Sequence, residues 1–141
     1  ELAKLRLNIK KVRVFPKLLS STQWRGIALN TDRIYIIDAS IPLFNASKSQ
    51  LIASYPAFSY PKLPGYIKGS PTLLSDFTIF NWFTDNYLIT VHNNPLLLAD
   101  GRFLTDNNAT IALWSIQFLA TQPHVNELNF LRIDNYQPNS L

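Results

Sequence analysis

The sequence predicts an α/β domain, with a mostly parallel sheet of about four strands and helices packed on its faces; an α+β arrangement is the alternative. Two observations carry this expectation. Continuous apolar, β-branched runs at residues 33–38 (RIYIID) and 87–92 (YLITVH) read as buried strands. Between the strands stand segments with helix starts, so the element order alternates as it does in parallel sheets.

Residues 2–9 are ambiguous, because Leu2, Leu5 and Ile9 recur at helical spacing while Leu5, Leu7 and Ile9 alternate as in a strand. A short helix is expected there, running into a strand at 11–15 that Pro16 ends. Residues 17–31 read as a polar connection with one helical turn. The strand at 33–38 follows, then a loop at 39–45. Ser47 is a plausible N-cap for a short helix through Tyr55, with Gln50 at the third helical position.

Residues 56–71 hold Pro56, Pro61, Pro64 and Pro71, a density that predicts a long surface loop carrying Phe58, Tyr60 and Tyr66. Residues 73–83 suit a short helix or an extended segment. The strand at 87–92 precedes an Asn93-Asn94-Pro95 turn, and Asp100-Gly101 marks another. Asp106 is expected to cap a helix at 107–121, whose apolar residues point nearly all round. Residues 125–133 read as a last strand. The whole is expected to be one domain over 1–134, with a polar tail at 135–141.

With 141 residues, 47% of them hydrophobic and 16% charged, the chain has ample material for a core, and disorder is not expected. No apolar run approaches the roughly 20 residues of a membrane-spanning helix. A start at Glu1 and the lack of Met suit an excised or processed product. The absence of Cys excludes disulfides and a thiol nucleophile, and it leaves the compartment open.

The formal net charge is +4, and Lys4, Arg6, Lys10, Lys11, Arg13, Lys17 and Arg25 crowd the first 25 positions, opposed there only by Glu1. Such a basic face could meet phosphate, an anionic membrane surface or an acidic partner, although charge runs are mostly ordinary solvated faces. Its residues are mostly not interleaved with aromatics, which argues against nucleic acid.

No metal or cofactor is expected. His92 and His124 are the only histidines and lack further ligands at suitable spacing. The four glycines form neither a dinucleotide fingerprint nor a phosphate-binding loop. One catalytic grouping can be assembled, from Asp38 and Ser40 at the end of one strand and His92 at the end of another. In a parallel sheet those ends would share an edge, where ligands bind. The competing reading is a loop carboxylate and a turn histidine. Asn45-Ala46-Ser47 and Asn108-Ala109-Thr110 fit the glycosylation pattern, which is short enough to arise by chance.

The stretch NYLITVHNNPLLLADGRFLTDNNATIALWSIQFL, residues 86–119, resembles the C-terminal part of an uncharacterised bacterial family with a glutamine-amidotransferase-like, flavodoxin-like α/β domain. The matching positions are a strand at 88–91, Asn94-Pro95, the apolar run 96–98, Asp106-Asn107 and a helix to Leu119. Earlier, LAKLRLNIKKVRVFPKLL is similar to the family's opening helix and strand, and DRIYIIDASIPLFNASKSQLIASY to its second strand, loop and helix. Together they cover about 120 residues. Where the family carries a Gly-Gly turn after the second helix, this chain has its proline-rich stretch.

The resemblance implies an extracytoplasmic or membrane-tethered part of a larger bacterial protein, encoded near ATPase-type chaperone systems. It implies the amidotransferase fold without the chemistry, since the catalytic Cys is missing. The function expected is therefore a non-catalytic interaction or assembly domain with a protein partner, contacting it through Phe58, Tyr60 and Tyr66. The alternative is a small hydrolase or ligand-binding enzyme using the strand ends at Asp38 and His92.

Overall fold

The computed structural model describes residues 8–136, and its strands are antiparallel throughout. The first sheet, sheet A, is a meander of β1 (Lys11–Pro16), β2 (Gln23–Leu29), β3 (Arg33–Ser40) and β4 (Lys48–Pro56). The second, sheet B, repeats that order with β5 (Leu88–Asn93), β6 (Leu96–Asp100), β7 (Ile111–Gln117) and β8 (Asn126–Arg132). Between them lie a 3-10 turn (Tyr60–Lys62), α1 (Gly65–Lys68) and α2 (Pro71–Phe83). The expected parallel α/β sheet of about four strands is therefore incorrect, and so is the α/β class it defines.

Connection length gives the physical reason. A parallel pair needs a crossover of about a dozen residues or more, usually a helix. Here β5 and β6 are joined by Asn94 and Pro95 alone, and β2 and β3 by residues 30–32. Chains that turn so sharply can pair only with their immediate neighbour, in the opposite direction.

Two expected helices are strands. The expected helix from Ser47 through Tyr55 is instead β4 (Lys48–Pro56), paired with β3. The capping pattern at Ser47 is a weak local preference, and the ladder to a neighbouring strand overrides it. Residues 107–121 contain β7. Its apolar residues serve both cores: Ala112 belongs to the core shared with sheet A, and Trp114 and Ile116 to the core under the helices. Asp106 does cap, but it caps a turn, accepting the backbone N–H groups of Thr110 at 2.7 Å and Ile111 at 2.9 Å. The expected strands at 11–15, 33–38, 87–92 and 125–133 coincide with β1, β3, β5 and β8, whereas the connection expected at 17–31 contains β2. Most of the expected opening helix, and the tail beyond Tyr136, lie outside the described residues.

The layers are sheet A, sheet B, helices. Side chains alternate along a strand, and in β6 both sets find cover. Leu97 and Ala99 meet Ile27, Ile34 and Ile36 of sheet A, while Leu96 and Leu98 meet Leu73, Phe77 and Phe80 of α2. Sheet A has a core on one side only. Val12 and Val14 of β1 are 50% and 58% exposed, as suits the uncovered side. Gly101 lies tight against sheet A. A Cβ there would lie 3.2 Å from the Tyr87 carbonyl oxygen and 3.3 Å from the Cδ1 atoms of both Ile27 and Ile34.

The proline-rich stretch is not a projecting loop. Pro71 occupies the first turn of α2, where its missing N–H costs nothing, and the Ser70 hydroxyl accepts the Leu73 N–H at 3.3 Å. Phe58, Leu63 and Ile67 are buried beneath the helices. The prolines thus shape a short path from sheet A to α2 that keeps its apolar side chains inside.

Candidate functional site

Asp38 and Ser40 lie on β3 in sheet A, and His92 lies on β5 in sheet B. The shared edge expected of a parallel sheet does not exist. Asp38 accepts hydrogen bonds from Lys17 Nζ at 2.8 Å and from Arg25 Nε and Nη2 at 2.8 and 3.1 Å. Burial pushes its carboxyl up, but the hydrogen bonds and charges of Arg25 and Lys17 outweigh that and hold it below the usual range. Arg25 continues inward, donating to the carbonyls of Leu104, Asp106 and Asn107. The cluster therefore ties sheet A to the β6–β7 connection. His92 donates from Nδ1 to the Pro95 carbonyl at 2.9 Å and packs edge-on against Tyr136. Asp38 and His92 each have a structural partner, and among the described residues nothing joins them to Ser40 as acid, base and nucleophile.

Four of the N-terminal basic residues are similarly paired. Lys11 and Arg13 both reach Asp85 at 2.6 Å, and Lys17 and Arg25 enclose Asp38. The hydrogen bond from Lys11 is the main reason the Asp85 carboxyl is held low. Lys10 is exposed, and Lys4 and Arg6 lie outside the described residues. Between 11 and 25, the run of charge in sequence is divided between two ion-pair clusters in space.

Of the three aromatics expected to meet a partner, Phe58 is buried against Phe77, with ring centroids 5.9 Å apart. Tyr66 donates its hydroxyl hydrogen to the Phe118 carbonyl at 3.2 Å. Only Tyr60 is substantially open, at 52% exposure with Lys68 over its ring. These residues anchor the helical layer to sheet B.

An open apolar surface lies further along, at the end of α2. Leu73, Phe77 and Phe80 face sheet B at helical spacing, which leaves Ile79, Trp82 and Phe83 on other faces. They are 61%, 81% and 41% exposed. Together with Trp114 of β7 and with Val125 and Glu127 at the start of β8, they line a groove of about 540 Å³. Its walls are braced. Phe83 and Trp114 meet edge to face at 5.3 Å, Trp114 and Phe103 at 5.5 Å, and the Arg102 guanidinium lies over Phe103 and Phe83. Arg102 is itself held by Asp100, a fully buried carboxylate 2.9 Å away. Burial raises the Asp100 carboxyl above its usual value, with Arg102 opposing the shift. At the far end, Asp76 of α2 accepts from the Val125 N–H at 3.0 Å and contacts His124, fixing where β8 begins.

Among the described residues β8 pairs only with β7, so its outer edge borders this groove with free backbone donors and acceptors. The edge is interrupted at Phe130, which has φ 52° and is 67% exposed. Sequence reading missed Ile79 and Trp82. The available signal was a helix apolar on more faces than one core requires. No family model matches this chain, and no match was found among curated proteins or solved structures.

Proposed function

We propose that this chain is a non-catalytic interaction domain of a larger assembly, and that it receives a protein partner in the groove between α2 and β8. The carrying observation is Trp82, a large aromatic at 81% exposure on the lip of a braced, mostly apolar groove. Tryptophan at the centre of an apolar patch is a common source of binding energy, because its burial removes much area from water at small entropic cost. The neighbouring free edge of β8 adds main-chain groups that an extended partner segment can pair with. Asp38 and His92, held by separate partners in separate sheets, lend no support to the hydrolase alternative.

The test is a photo-crosslinking residue placed at position 82 of the parent protein in its native cells, with position 14 on the uncovered side of sheet A as control. A discrete adduct formed from position 82, lost on Ile79→Asp and not formed from position 14, is the expected result. Equal or absent crosslinking from the two positions would overturn the assignment.

A further inference from the structure

Two loops meet at one end of sheet A. Residues 17–22 join β1 to β2 and residues 41–47 join β3 to β4, and the register Pro16↔Trp24, Gln23↔Ser40 and Ser40↔Lys48 puts them side by side. The Ile41 N–H donates to the Thr22 carbonyl at 2.7 Å, which holds the two tips together. What they carry is unlike an ordinary hairpin end. Leu18, Leu19, Leu43 and Phe44 are 91%, 99%, 86% and 94% exposed, and Ile41 is 55% exposed. Leu19 has φ 60°, in the left-handed region that a Cβ disfavours, so the turn sets a leucine outward where glycine or asparagine would sit more easily.

The charges at this end have one sign. Residues 17–22 and 41–48 contain Lys17 and Lys48 and no carboxylate. The neighbouring carboxylate, Asp38, is enclosed by Lys17 and Arg25. We propose that this end is a membrane-docking tip, inserting Leu18, Leu19, Leu43 and Phe44 into the interfacial region of an anionic lipid bilayer, with Lys48 and the net-positive Lys17–Arg25–Asp38 cluster behind them. Apolar side chains provide insertion, and cations add attraction to acidic headgroups.

Charge and shape both separate this end from the α2 groove. The groove is concave and includes Asp76 and Glu127, which an anionic bilayer would repel. The tip is made of two turns carrying separately projecting side chains, and a fluid bilayer accepts such side chains without a matching pocket. Docking here leaves the α2–β8 groove free, so this proposal stands apart from the protein-partner reading.

The full chain should sediment with vesicles of phosphatidylcholine and phosphatidylserine, and far less with phosphatidylcholine alone. The double variant Leu19→Ser, Phe44→Ser should lose more than about tenfold in affinity for the mixed vesicles, since each side chain forfeits its burial in the acyl boundary. Lys48→Glu should weaken binding and reduce its salt dependence. Trp82→Ser should leave vesicle binding unchanged. Because the chain has no cysteine, a single Leu43→Cys carrying an environment-sensitive dye should shift blue on the mixed vesicles, and the same dye at Val14→Cys should not. Equal sedimentation of wild type and the double variant would overturn the proposal. Self-association abolished by the double variant, without vesicle binding by the wild type, would overturn it in favour of a second copy of the chain.

Discussion

Sheet A and sheet B have the same strand number and the same meander, yet their strands differ in composition. Every residue of β6 is buried, whereas β1 has four exposed residues and two intermediate ones. The difference follows from how many layers touch each sheet. At β6, sheet B is packed by sheet A on one face and by α2 on the other, so both sets of alternating side chains are covered and mostly apolar. Sheet A is packed on one face and carries charged residues even on its two central strands, where Arg25 and Asp38 pair. The consequence is a division of labour: sheet B and α2 carry most of the packing, and sheet A presents surface and loops.

The strongest way to break that comparison is to hollow out the helix–sheet layer. Phe77→Ala removes a ring that is 1% exposed and packs against Phe58 and Phe118. It should cost about 3–5 kcal/mol, read as a shift in the denaturant midpoint. An effect on the scale of a surface substitution would show that the helical layer is not integral to the core.

A smaller effect is expected at the ion cluster linking sheet A to the β6–β7 connection. Asp38→Asn should cost roughly 1–3 kcal/mol near neutral pH, because it leaves Arg25 and Lys17 without their shared carboxylate. The pH dependence has a definite sign. The folded-state value of Asp38 lies below its unfolded value, so its contribution is present above about pH 4 and is lost as pH falls through the lowered value. Acid titration of stability should accordingly be shallower in the variant than in the wild type.

The smallest effect belongs to the uncovered side of sheet A. Val14→Thr keeps the β-branched shape at a position 58% exposed and should change stability by no more than about 0.5 kcal/mol. A loss comparable to that of Phe77→Ala would mean that this side is covered in solution.

Legibility in the sequence followed the same division. Residues 33–38 and 87–92 could be read as strands because β-branched and aromatic residues crowd them. Residues 111–117 could not be separated from a buried helix, since a strand covered on both faces also lacks a polar side. At 47–55, Leu51, Ile52 and Tyr55 fit either period, and Ser47 tipped the reading toward a helix that pairing with β3 overrides. The site was less legible still. Asp38 and His92 were joined by an assumption of parallel strands, while Ile79 and Trp82 went unmarked in a segment, 73–83, that suited either a helix or an extended run, so its outward face could not be told from its inward one.

By itself, then, the sequence determined that there is a sizeable apolar core without thiol chemistry, where four of the eight strands among the described residues run, and that turns fall at Asn94-Pro95 and Asp100-Gly101. Those properties are local, set by composition, β-branching and backbone stereochemistry. Tertiary structure alone decided the antiparallel pairing, the inward packing of the proline-rich stretch, the pairing of the basic residues and the two apolar surfaces left open. Each depends on which layer covers which face, a long-range outcome that a run of neighbouring residues does not encode.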